Sequence, residues 1–151
     1  MSASRTNILN NLIATLKAIV TPTYALTVQT VIKSPRTFVP SQVSPADCPY
    51  IGILSNHETK EHLACNVVKC VWNLTADCFI VGSSFEDRLD QLDTIEDAVI
   101  VALNIDQTRG GNATSTLYID TMRDDLSDST LGIQKIEFEV TYYRTLTTSY
   151  T

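Results

Sequence analysis

Between Leu63 and Val81 the chain alternates with no Gly or Pro to interrupt it. Ala64, Asn66, Val68, Cys70, Trp72, Leu74, Ala76, Cys78 and Ile80 make one nearly continuous apolar face. Lys69, Asn73, Thr75 and Asp77 fall among the mixed positions between them. Alternation at period two marks a half-buried strand, and at about 3.3 Å per residue this one spans about 60 Å. Ordinary strands stop near a third of that length. Such a strand either bends across its domain or projects beyond it, leaving an edge for another chain to cover.

The other elements follow from their own periods. Ile8, Leu12, Leu16 and Ile19 recur at helical spacing until Pro22 ends the run. Tyr24 to Lys33 alternates as a strand. Ser34 to Pro49 holds Pro35, Pro40, Pro45 and Pro49, too many for a strand inside a sheet, and reads as a long extended loop. Tyr50 to Ser55 is a short apolar strand, and Asn56 to His62 is a polar turn joining it to the long strand as a hairpin. Ser83 with Glu86 has the form of a capping box, and Phe85, Leu89, Leu92, Ile95, Val99 and Leu103 carry a second helix to Asn104. A glycine-bearing loop, the strand Thr116–Arg123, an acidic turn and the strand Gly132–Leu146 complete the chain. The expectation is one α+β domain over residues 1–151 in the order α-β-β-β-α-β-β, its two helices packed on a mostly antiparallel or mixed sheet.

The composition is that of a folded chain: 44% of residues are hydrophobic and 19% charged. A net charge of −6 and the lack of any basic run argue against duplex binding, which depends on neutralising phosphates. They suit a surface that DNA slides past. No apolar run reaches membrane-spanning length, and the polar stretch Met1 to Asn11 lacks the apolar core of a signal peptide, so cytoplasmic assembly is expected. Cys48, Cys65, Cys70 and Cys78 form no C-x-x-C pair and read as buried free thiols.

Little in the chain has the spacing of catalytic chemistry. His57 and His62 flank Glu58 and Glu61, but a zinc helix needs its histidines one turn apart, and these stand five residues apart in an expected turn. They are read as exposed polar residues open to a subunit or partner interface. On the second helix, Glu86, Asp87, Asp90, Asp93, Glu96 and Asp97 form a solvated acidic face. Asp90, Asp93 and Asp97 in particular could repel DNA or meet a basic partner. Arg109-Gly110-Gly111-Asn112 lacks the Lys and the strand–loop–helix order of a phosphate loop. In the proline-rich segment, Phe38 and Val39 are apolar residues open to a subunit or partner interface, and Phe38 is expected to pack either on a neighbouring subunit or assembly partner or back onto its own domain. No catalytic residue, cofactor or metal is assigned.

Taken together, the helix Asn7–Val20, the strand Tyr24–Lys33, the proline-bearing loop, Cys48-Pro49-Tyr50-Ile51, the long strand, the helix Phe85–Asn104 and the closing Ile136-Glu137-Phe138-Glu139-Val140-Thr141-Tyr142-Tyr143 resemble the tail terminator, or tail completion, proteins of long-tailed bacteriophages. The likeness covers nearly the whole chain and is one of element order and pattern. It implies a non-enzymatic virion protein that forms a hexameric ring in the tail and neck region. Such a ring caps the tail tube, halts its polymerisation and meets the head's connector, with the sheath as a further partner where the tail contracts. DNA would pass through its channel without specific binding. Another neck or head-completion component is the alternative. A small-molecule enzyme, the remoter one, would need a pocket of convergent polar groups.

Overall fold

The computed structural model describes residues 2–34, 43–124 and 130–146. Its elements are α1 (Ser2–Lys17), β1 (Thr30–Ser34), β2 (Tyr50–His62), β3 (Val67–Val81), α2 (Phe85–Ile105), β4 (Ser115–Asp124) and β5 (Leu131–Thr145), with one short 3-10 turn at Pro45–Asp47. This is the expected α+β domain in the expected order. The strands form one mixed sheet in the order β1-β2-β3-β5-β4, parallel between β1 and β2 and antiparallel elsewhere.

Both helices pack on the same face of the sheet. The even residues of β3 from Val68 to Ile80 and those of β5 from Ile136 to Tyr142 meet Ile8, Leu12 and Leu16 of α1 and Leu92, Ile95, Val99 and Leu103 of α2 in one core. Trp72, Leu74, Phe138 and Tyr142 are at most 1% exposed, and full burial of side chains this large contributes about 1.5–3 kcal/mol each. The opposite, open face carries a smaller cluster of Val43, Phe79 and Ile133. Tyr50 packs edge-on against Phe79 there, with ring centroids 5.9 Å apart.

Helix α2 starts where β3 stops because the backbone at Gly82 lies against Arg88. A Cβ on Gly82 would stand 2.9 Å from the Arg88 backbone nitrogen. Ser84 caps the helix by accepting from the Asp87 amide at 3.1 Å, and the Asp87 carboxylate accepts from the Ser83 amide at 3.1 Å. The reciprocal cap therefore sits one residue later than the expected Ser83–Glu86 pair. At the other end, the Arg109 guanidinium donates to the carbonyls of Leu103 and Asp106. Arg109, in the glycine-bearing loop, thus serves carbonyls at the helix's C-terminal end, where Asp106 is the C-cap.

Several expected boundaries are corrected. The hairpin turn is at residues 63–66, not Asn56–His62, and the latter residues belong to β2. Cys65 and Asn66 have φ of 62° and 60°, so they make a tight reversal without the glycine that usually signals one. Strand β3 is correspondingly shorter than Leu63–Val81. It also has no free edge, since β2 and β5 pair with it on either side. The strand expected over Tyr24–Lys33 is ladder-paired only from Thr30. The preceding residues fold back on the end of α1 through Tyr24 N to Val20 O (3.0 Å) and Val28 N to Ile19 O (2.9 Å). Helix α1 ends at Lys17 rather than Val20, although Ile19 stays buried in the core.

Candidate interaction surfaces

The sequence hides one buried polar cluster inside the charged run of β2. A bulge at Asn56 shifts the register between Ser55 and His57, so that afterwards Glu58, Lys60 and His62 lie on the helix-bearing side, opposite Trp72, Cys70 and Val68. Glu58 accepts a 2.8 Å hydrogen bond from Tyr142 and lies 3.4 Å from Arg5. Arg5 in turn stacks 4.5 Å over the Trp72 ring, whose Nε1 donates to Ser55 Oγ at 2.8 Å. Burial, and then the Glu58 carboxylate, push the Tyr142 hydroxyl well above the ordinary tyrosine range, and they raise the Cys70 thiol in the same way. Period-two counting on from Ile51, Ile53 and Ser55 would place His57 inward and Glu58 outward, and only the bulge, which nothing in the sequence marks, reverses this.

The bulge residue Asn56 itself serves the open face. Its Nδ2 donates to Asn73 Oδ1 at 2.7 Å and to Thr75 Oγ1 at 2.6 Å, while Asn73 donates to Glu137 at 3.0 Å. Beside this polar layer Thr75, Asp120, Met122, Lys135 and Glu137 line a shallow depression of about 90 Å³. On β4, Leu117, Ile119 and Met122 are 59%, 40% and 64% exposed, an apolar set on the outermost strand of the sheet. A strand in that position keeps a row of backbone donors and acceptors available for pairing.

The acidic face of α2 is less uniform than its sequence implies. Arg123 of β4 pairs with both Asp93 and Glu96, and its Nε donates to buried Gln134. Asp87 is occupied by the cap and by Gln91. Glu86, Asp90 and Asp97 remain exposed without an ion-pair partner among the described residues. Asp97 borders an open groove of about 360 Å³ between the helix and the residues around Tyr24, floored by Ala98 and Val101.

Of the residues singled out from the sequence, Asp90, Asp93 and Asp97 do share one helix face, with Asp93 engaged by Arg123. His57 and His62 are both exposed but are not brought together. Five residues apart on a regular strand they point to opposite sides of the sheet. Phe38 and Val39 lie outside the described residues. Among the described residues, no group of three or more His, Cys, Asp or Glu could hold a metal ion, and no helix is long and apolar enough to cross a membrane. All four cysteines are free. Cys70 and Cys78 are buried as expected, whereas Cys65 is exposed at the hairpin turn and Cys48 is half-buried, its thiol pushed up to about 11 by burial and then by Asp47. No protein-family profile matches the chain, and no curated protein matches it.

Proposed function

We propose that this chain is a structural subunit of a long-tailed bacteriophage, a tail terminator that closes into a ring of six copies on the end of the tail tube. The observation that carries the reading is the sheet's outer strand β4, which among the described residues pairs on one side only and presents Leu117, Ile119 and Met122 to solvent. Contiguous exposed apolar residues on an edge strand mark an assembly surface. The other end of the sheet finishes at β1, so the two outer edges differ and suit head-to-tail contact, the kind that closes by rotation into a ring. The order of elements, on which the resemblance to tail terminators rests, also supports the reading. In this role the ring stops tube growth and offers its far surface to the head's connector, and the net negative charge lets DNA pass without sticking.

The test is to add the purified chain to isolated tail tubes and to image particles. Closed rings at tube ends and density for this protein at the head-proximal end of the tail are the expected results. A chain that stays monomeric on saturating tube ends, or that is placed elsewhere in the virion, overturns the proposal.

A further inference from the structure

The far end of the β2–β3–β5 ribbon carries a charge pattern opposite to that of the whole chain. On the helix-bearing side, Lys60 stands in register with Cys70 and Tyr142, and His62 with Val68 and Arg144. Those two rows contain no carboxylate. Glu58, one row further in, is already engaged by Arg5 and Tyr142. Lys60 and His62 are exposed, and Arg144 is half-buried with its Nε lacking a hydrogen-bond partner among the described residues. The start of α1 lies at this end too, as the contact of Arg5 with Trp72 and Glu58 requires, and its first turn holds no acid to offset the positive end of the helix. Leu63 and Leu146, each about two-fifths exposed, border the patch.

The unpaired acids of α2 begin at the other end of the molecule, while exposed Glu61 stands in register with Lys69 on the opposite face of the ribbon. Strand β3 runs from the hairpin turn to Val81, about 50 Å for its fifteen residues, and α2 begins just beyond it. Glu86 and Asp90 lie in the first turns of that helix and Asp97 past its midpoint, followed on the same stripe by exposed Val101 and Ile105. One copy cannot bring its basic ribbon end to its own acidic helix face. Two copies can, and each surface combines charge with exposed apolar residues of the kind the other lacks a cover for.

We infer that the acidic face of α2 in one copy docks on the Lys60–His62–Arg144 end of the next copy. The contact is heterologous, because it joins two different surfaces, so it propagates from copy to copy and leaves the free β4 edge as a separate contact. It rests on the ring reading for its closure but not for the pairing itself. Charge pairs at such a contact set register and reject the wrong orientation.

The test uses two full-length variants, Lys60→Glu/Arg144→Glu and Asp90→Lys/Asp97→Lys, with melting temperature confirming that each folds. Self-association is followed by native mass spectrometry and light scattering, with tube ends supplied if the wild type needs them. Each variant alone should need about tenfold more protein than wild type to associate. Their equimolar mixture should regain wild-type association, because the reversed ribbon end of one now matches the reversed helix face of the other. Association of the wild type should also weaken as salt rises from about 0.05 to about 0.5 M. Closed wild-type rings that ignore both substitutions overturn this contact and leave the ring reading intact. Salt-sensitive, swap-rescued association that never closes overturns the ring and keeps the contact. A wild type that stays monomeric with and without tubes overturns both.

Discussion

Tyr142 on β5 donates a 2.8 Å hydrogen bond to Glu58 on β2, reaching across the central strand β3 that separates them. The bond closes over Trp72, against whose ring Tyr142 sits at a centroid distance of 6.5 Å. Three strands and the first turns of α1 therefore share one polar clasp at the end of the core.

Removing the donor tests that clasp. Tyr142→Phe keeps the ring packing and strips the buried Glu58 carboxylate of a partner, which costs about 1.5–3 kcal/mol for a hydrogen bond to a charged group. Arg5→Ala removes the stacked guanidinium and costs less, about 0.5–1 kcal/mol. Trp72 is the single tryptophan and reports both in urea titrations followed by its fluorescence. Equal, negligible losses from the two variants would show that the clasp contributes nothing.

Two buried groups towards opposite ends of β3 set a response to alkali. Burial raises the Cys78 thiol above its ordinary value of 9.0, and burial together with Glu58 raises Tyr142 above 10.0. A raised folded-state value means that the folded chain holds its proton more tightly than the unfolded chain does. The associated stability is complete below the ordinary values and is lost as pH climbs from there through the folded values. Stability should thus begin to fall above pH 9, by about 1.4 kcal/mol per pH unit for each group whose unfolded form has ionised. Denaturation midpoints measured across that range should show the decline, and Tyr142→Phe should flatten its upper part. A stability that does not change up to strongly alkaline pH contradicts the assignment.

The acids of α2 should separate by partner. Asp93→Lys breaks the pair with Arg123 and places a cation beside it, with an expected loss of about 0.5–1 kcal/mol. Asp90→Lys and Asp97→Lys touch no ion pair among the described residues and should stay within about 0.5 kcal/mol of wild type. Thermal melts of the three single variants decide the matter, and a uniform response would mean that Arg123 does not distinguish them.

Which features were legible in the sequence follows from how each is encoded. The core stripes of α2, β3 and β5 repeat over many residues, so period alone located them, and Pro22 and Gly82 marked interruptions near the right places. The hairpin was misplaced because its two signals are weak. Cys65-Asn66 adopts positive φ without glycine, and residues 56–62 alternate between polar side chains on both faces, so hydrophobic periodicity had nothing to read. The pairing of β1 beside β2 rests on residues distant in sequence, as does the Arg123 contact that engages Asp93. No local pattern announces either. The acidic helix was visible as composition, while its division into paired and unpaired carboxylates needed the fold.

Arg109 offers a sharper test of a buried cation. It is fully buried, burial lowers its pKa with the nearby Asp106 charge opposing, and its guanidinium serves the last carbonyls of α2. Arg109→Met retains most of the apolar stem but leaves those carbonyls without their donor, for a cost of about 1–3 kcal/mol. Amide exchange should quicken first in residues 101–105 and in the following loop. Exchange that quickens evenly over the whole sheet instead would mean that the side chain supports the core rather than the helix end.

The hairpin turn should accept improvement. Cys65 and Asn66 both hold positive φ, a region that costs residues other than glycine about 1–2 kcal/mol, with Asn the better tolerated. Asn-Gly is the pair that favours such a reversal. Cys65→Asn/Asn66→Gly moves the tolerant residue to the first position and glycine to the second, and the relief is partly offset by the greater freedom glycine gives the unfolded chain. The net gain should be about 1 kcal/mol, read as a higher urea midpoint at an unchanged slope. The substitution also removes the one fully exposed thiol. Cys70 and Cys78 are buried, and the Cys48 thiol, pushed up to about 11, stays protonated near neutral pH. A thiol reagent at neutral pH should therefore label the folded wild type quickly at Cys65 and the variant hardly at all. Rapid labelling of the folded variant would mean that another cysteine is open to solvent, and a lowered midpoint would mean that the turn does not need what Asn-Gly supplies.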